Sequence, residues 1–291
     1  MPNLLGEKTF ESAVEQSLID ENGFLRGDLG DYDKRLCLLK TSVIRFFQTT
    51  QPKIWQSYKE QMGSEAEARI LRRISDGIER DGTHHLLRKG VGESGHHFDL
   101  CYMPAVSGLN PDVENLFEQN IFQVIRDDFK YSEENEKSVD MVIFLNGCPV
   151  FTAELKNKMT GQTVANAMKQ YREDRDPKEP LFRFRRCLAH FAVDTEEVYF
   201  TTELKGRGTQ FLPFNKGHDG GKGNPPSRVG FSTDYLWKVI WTRESILNLI
   251  QRFIRIVKAR DSKGKATGKD ILIFPRFQQL DTVRRLTADA T

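Results

Sequence analysis

Asp140, Glu154 and Lys156 interrupt an otherwise apolar stretch, VDMVIFLNGCPVFTAELKNK at 139–158, which Lys158 closes. Two carboxylates beside an amine could assist hydrolysis of a phosphodiester. Acids brought together repel, and each is relieved by a raised pKa or by a shared cation. Two carboxylate oxygens, a backbone carbonyl and waters suit Mg2+, which keeps much of its hydration; Mn2+ is the expected substitute. A metal held there would activate a water and screen charge on a phosphodiester oxygen, while Lys156 would orient that water or stabilise the transition state. The bland alternative is a solvated strand face with a Glu–Lys ion pair. The flanks MVIFL and VFTA weigh against it, because continuous apolar runs are typical of strands buried on both faces, and charge at their ends needs a reason.

The elements that must position these groups are two strands, expected at 139–145 and 149–156. Side chains alternate along a strand, so Glu154 and Lys156 share a face. The turn decides where Asp140 points. A two-residue Asn146-Gly147 loop sets Asp140 across from Ala153 and sends the two acids to opposite faces. A three-residue loop, 146–148, sets Asp140 directly across from Glu154, with Cβ atoms about 5 Å apart. Only that odd loop, or an equivalent bulge, gathers the three charges, so one of the two is expected.

Around the hairpin, residues 6–22 read as a helix with Phe10, Val14 and Leu18 at helical spacing and Glu11 and Glu15 on one face. A second helix is expected at 33–49, stopped near Pro52, and a third at 64–80. HHLLRKGVG (84–92), HFDLCYMPAV (97–106) and QVIRDDFKY (123–131) read as strands, with a helix at about 111–121. After the hairpin come a helix at about 161–173, strands at 187–194 and 197–202, a Gly/Pro/Lys-rich loop at 205–228 and helices at about 233–258. ARDSKGKATGK (259–269) reads as a polar linker, and the tail as a short strand and a helix start. The order implies an α/β domain with helical decoration.

Bulk properties narrow the class. At 291 residues the chain is one large domain or two modest ones. Lys plus Arg (43) nearly balances Asp plus Glu (41), so total charge demands no polyanionic partner, although a local basic face remains open. Four widely spaced cysteines without a C-x-x-C pair suggest free thiols in a reducing cytoplasm, and the adjacent pairs His84–His85 and His96–His97 do not suggest zinc. MPNLLGEKTF lacks the features of a signal peptide, and no run approaches the roughly 18 apolar residues that a membrane span needs.

The hairpin, followed by GQTVANAMKQYREDRDPKEPLFRFRRCLAHFAVD, resembles the N-terminal nuclease region of the R (endonuclease) subunit of type I restriction–modification enzymes. The resemblance extends over TQPKIW, LLRKGV, GLNPDVENLFEQN, FLPFNKG, GNPP and DYLWKVIW, nearly the whole chain. It implies a restriction-endonuclease-like PD-(D/E)xK fold, a mixed central sheet flanked by helices. The family's catalytic aspartate, glutamate and lysine fall on Asp140, Glu154 and Lys156, the two acids also being the Mg2+ ligands. Many nucleases of this fold add an acid from the first helix, which fits Glu11 best and Glu15 second. The family's QxxxY signature departs here, since Gln170 and Tyr171 are adjacent and Ala167 stands four residues before Tyr171; these two become supporting candidates. The P-D of the name is degenerate too, as Val139 precedes Asp140.

The tail FPRFQQLDTVRRL resembles the segment before the first motor domain of superfamily 2 helicases, which would make Gln279 an adenine reader. No G-x-x-x-x-G-K-[ST] loop is present. The implied organisation is a nuclease domain with helical additions over 1–258, a linker at 259–269 and the start of a motor at 270–291, with ATP used only in the full-length protein. Implied partners are duplex DNA and the modification and specificity subunits, with no membrane. Candidate phosphate contacts are Lys205, Arg207, Lys216, Lys222 and Arg228 in the glycine-rich loop, and Arg172, Arg175, Arg183, Arg185 and Arg186 after the second hairpin strand. The rival class is a catalytically silent docking module that tethers the motor to the modification core.

Overall fold

The computed structural model describes residues 7–104, 111–261 and 264–289. The elements run α1 (Glu7–Asp20), β1 (Leu25–Arg26), β2 (Tyr32–Asp33), β3 (Leu38–Leu39), α2 (Lys40–Thr50), α3 (Pro52–Met62), α4 (Ala66–Asp81), α5 (Thr83–Lys89), β4 (Val91–Glu93), β5 (His96–Phe98) and α6 (Pro111–Glu118). Then follow β6 (Phe122–Lys130), β7 (Ser138–Leu145), β8 (Cys148–Leu155), α7 (Val164–Glu173), β9 (Ala189–Val193), β10 (Val198–Thr201), β11 (Leu212–Pro213), α8 (Arg243–Asn248), β12 (Arg255–Arg260), β13 (Ala266–Ile273) and α9 (Phe277–Asp289). Seven strands form one sheet in the order β1-β6-β7-β8-β9-β10-β11. The pairs β1–β6 and β8–β9 are parallel and the others antiparallel, so the sheet is mixed.

Helices cover both faces of this sheet, which is why β7 and β8 read as continuous apolar runs. Met141, Ile143 and Leu145 of β7 belong to the large core that also holds Phe10, Val14 and Leu18 of α1, all three fully buried. The alternate residues Val142 and Phe144 pack on the other face, in a smaller core with Tyr171 of α7, Leu181 and Phe182. Thr152 and Glu154 of β8 meet α7 on that same face.

Several local expectations give way. HHLLRKG is not a strand but α5, bracketed by Gly82 and Gly90, both at positive φ; a short apolar run such as Leu86-Leu87 suits either state. Of HFDLCYMPAV only His97 and Phe98 are extended, as the end of β5, and 105–106 lie outside the described residues. The helix read from Asp33 starts at Lys40, because the Asp33 carboxylate accepts from the Arg35 and Leu36 N–H groups and closes a turn instead. That helix does stop near Pro52, at Thr50, and Pro52 itself opens α3, as suits a residue with no N–H to contribute at a first helical turn. The helical region beginning near 233 ends at Phe253, and Arg255–Arg260 pairs with Ala266–Ile273. The segment 259–269, expected as a linker, is thus the distal part of a β-hairpin, with 262–263 outside the described residues. Leu272, Phe274 and Leu280 of the tail are buried in the main core.

Candidate active site

The β7–β8 hairpin turns through Asn146 and Gly147, at φ 50° and 80°, with Leu145 paired to Cys148. Asn146 is fully buried, and its side chain bonds the Ile121 N–H, the Leu100 carbonyl and Asn120. Gly147 is packed so closely that an added Cβ would stand 2.5 Å from the Leu39 carbonyl oxygen. This is the two-residue turn that alone would separate the acids. The register shifts immediately beyond it: Phe144 faces Pro149, but Ile143 faces Phe151. Val150 is the extra residue of a bulge. Pro149 has no N–H for the ladder, and bulges are among the few places where a sheet accepts proline. Parity is restored, and one step past the Met141–Ala153 pair brings Asp140 level with Glu154. The expected alternative of a bulge is the one realised.

The three charges converge. Asp140 Oδ2 accepts from the Leu155 N–H at 2.8 Å and from Lys156 Nζ at 3.1 Å. Lys156 is 5% exposed, and its own N–H bonds the Val193 carbonyl, extending the β8–β9 pairing past the strand end. Glu154 is fully buried. Its Oε1 accepts from Arg175 Nε at 2.7 Å, while Oε2 has no hydrogen-bond partner. Burial first, and the Asp140 charge second, push the Glu154 carboxyl well above its usual range, against the opposing pull of Arg175 and Lys156.

Helix α7 holds this face in place. Its first N–H, on Val164, is capped by the fully buried carboxylate of Asp194 at 2.8 Å, and the Thr163 N–H bonds Asn166 Oδ1. Val164 and Ala167 pack on Ala192 of β9. Tyr171 is fully buried, and its hydroxyl meets Thr152 Oγ1 at 2.8 Å; the same oxygen meets His190 Nδ1 at 2.8 Å. Burial lowers the His190 pKa to about 3, so the imidazole is neutral at physiological pH. Burial and then the neighbouring Glu154 raise the Tyr171 phenol well above its usual range. Four residues beyond Tyr171, Arg175 lies against Glu154 with its guanidinium 6.0 Å from the Tyr131 ring centroid.

The remaining candidates scatter. Glu15 is held by two arginines, Arg126 at 2.7 Å and Arg26 at 3.0 Å, which ties α1 to β6 and β1. Glu11, one turn earlier, is 9% exposed. Gln170 Oε1 is buried without a hydrogen-bond partner. Arg172 donates to the Thr209 carbonyl and covers the Phe211 ring. Lys205 pairs with Glu203, Lys216 sits over the Tyr235 ring, and Arg207, Lys222 and Arg228 are exposed. Arg183 and Arg185 pair with Glu79 and Asp270, and Arg186, 2% exposed, donates to the Leu36 carbonyl. Gln279 is exposed, and its side-chain oxygen accepts from the Arg276 N–H.

Sequence reasoning grouped Arg175 with phosphate contacts and overlooked Thr152 and His190. The signals were present: Thr152 precedes Glu154 by two on one strand face, and Arg175 follows Tyr171 by four. The donor set suits a hard divalent cation, with two acids and one unpartnered buried carboxylate oxygen. Among the described residues no group of three or more His, Cys, Asp or Glu side chains forms a metal cluster, so water or substrate oxygens would complete the shell. All four cysteines are buried free thiols.

A family model described as "Type I restriction enzyme R protein N terminus" matches residues 11–209. The chain belongs to this family. The match covers α1 from Glu11 onward, the whole β7–β8 hairpin, α7 and Arg175. None of the curated proteins compared with the chain matches it. Among the described residues no helix is long and apolar enough to cross a membrane.

Proposed function

We propose that this R-protein domain is a PD-(D/E)xK-type, Mg2+-dependent endonuclease that hydrolyses phosphodiesters of duplex DNA. In the full-length protein the cutting is coupled to an ATP-driven translocase, and site recognition belongs to the specificity subunit bound with the modification subunits. The working compartment is the cytoplasm. The observation that carries the reading is the convergence of Asp140 and Lys156, 3.1 Å apart, with Glu154 level on the next strand through the bulge at Val150. Mg2+, when bound, supplies Lewis-acid screening of a phosphodiester oxygen and a more acidic water.

The chain's own groups have separate tasks. Asp140 and Glu154 would hold the cation, and the Leu155 N–H fixes the orientation of the Asp140 carboxylate. Lys156, screened from bulk water, places a positive charge where the pentacoordinate transition state gains negative charge. The rigid sheet and α7 keep the acids within the narrow geometry that such chemistry requires.

Replacement of Asp140, Glu154 or Lys156 by alanine in the full complex tests the reading. DNA cleavage is expected to vanish while ATP-driven translocation persists. Equal loss of both would favour the docking-module alternative, and so would failure of Mn2+ to bind the chain even in the presence of duplex DNA.

A further inference from the structure

The buried acids already have protein counter-ions. Lys156 Nζ stands 3.1 Å from Asp140, and Arg175 Nε 2.7 Å from Glu154. The Glu154–Arg175 pair is the more deeply buried, with side chains 0% and 6% exposed. Glu154 feels one like charge, Asp140, and two opposite ones, Arg175 and Lys156. With both acids ionised, as holding a cation requires, the centre formed by these four side chains is two negative charges against two positive ones.

Resting on the nuclease reading above, we propose that Arg175 is a resident counter-cation that sets the affinity of the site for its divalent ion. A divalent ion approaching Glu154 meets a guanidinium already bonded to one carboxylate oxygen, and only Oε2 stands open. Two like charges a few ångströms apart in a poorly solvated site repel strongly. The free domain therefore holds its ion weakly. It binds well only when a third source of negative charge, a DNA phosphate, joins the site or when Arg175 withdraws. Among the described residues no third acid supplies that charge in a metal cluster. The geometry also separates this role from phosphate binding. Arg175 is 6% exposed with Nε turned inward to Glu154, whereas a phosphate contact would need the fork facing out.

Arg175 is a positioning residue in this account, and its charge, not its bulk, is what matters. The test is Mn2+ binding to the 291-residue chain without DNA, by isothermal calorimetry at pH 8, for wild type, Arg175→Gln and Arg175→Lys. Arg175→Gln is expected to bind Mn2+ at least tenfold more tightly than wild type, and Arg175→Lys within about threefold of wild type, a split by charge that loss of packing would not produce. Asp140→Asn added to Arg175→Gln is expected to abolish the gain. Equal or weaker binding by Arg175→Gln, beside measurable wild-type binding, overturns the role of Arg175 and leaves the nuclease reading standing. Binding by neither protein even in the presence of duplex DNA overturns both. Should Arg175→Gln be unfolded without metal, recovery of a cooperative melt at lower Mn2+ than wild type needs for its own shift supports the proposal, and no recovery refutes it.

Discussion

The imidazole beneath the site allows a quantitative test of how tightly this layer is packed. His190 is 2% exposed, its Nδ1 meets Thr152 Oγ1, and burial lowers its pKa to about 3. In the unfolded chain the same group titrates near 6.5. The folded state therefore resists a proton that the unfolded state accepts, and stability is lost as pH falls from about 6.5 toward 3. Between pH 7 and pH 5 the linkage amounts to about 2 kcal/mol for this one residue. His84, lowered to about 4 by burial, acts in the same direction. Glu154 works in the opposite direction: its folded pKa is raised, so falling pH favours the folded protein as that carboxyl takes up a proton. Comparison with a variant removes this confusion, because Glu154 is common to both proteins. Urea unfolding at pH 7 and pH 5 should give wild type a loss larger by about 2 kcal/mol than His190→Gln. Equal losses would mean that His190 is hydrated or charged in the fold, and the compact Tyr171–Thr152–His190 layer behind Glu154 would be wrong.

Two further outcomes concern the scaffold of the same site. Thr152→Val keeps the shape but removes the oxygen shared by Tyr171 and His190, leaving two buried polar groups unpaired; a loss of about 2–4 kcal/mol in chemical denaturation is expected, and a loss under about 0.5 kcal/mol would show that both find other partners. Gly147→Ala puts a side chain at φ 80° and 2.5 Å from the Leu39 carbonyl oxygen and the Val43 side chain; it should cost about 2 kcal/mol or more, read as a drop in melting temperature, and an unchanged melt would refute the close approach of α2 to the turn.

The first helix and the sheet strands were legible because their signals are local and redundant. Phe10, Val14 and Leu18 repeat at helical spacing, and the runs MVIFL and VFTA admit little but doubly covered strands. What failed was short or owed its form to distant contacts. Leu86-Leu87 fits a strand or a helix equally, and the choice is made by Gly82, Gly90 and the bond from His84 to the Ile250 carbonyl. The stretch after Ala259 reads as a polar linker by composition. It forms a hairpin because Ile256 and Leu272 pair across it, and Arg185 and Thr202 tie its second strand to the body of the fold. No pattern within 259–269 carries that information.

The acid–acid–amine signature was legible in part, and the gap is instructive. Thirteen residues separate Asp140 from Glu154, and that spacing has no fixed geometric meaning: the same letters on a regular two-residue hairpin would aim the carboxylates through opposite faces of the sheet. What converts spacing into a site is the one surplus residue, Val150, beside a proline that cannot join the ladder. The bulge is therefore as necessary to the convergence as the charges are. Partner selection lies further from the sequence still. Arg175 and the other arginines after β8 are alike as letters, yet Arg183, Arg185 and Arg186 bind Glu79, Asp270 and the Leu36 carbonyl, and only Arg175 reaches Glu154. The difference is one of position: Ala167 and Tyr171 are buried on the side of α7 that faces the sheet, and Arg175, just past the helix end at Glu173, arrives where a buried carboxylate needs a positive charge.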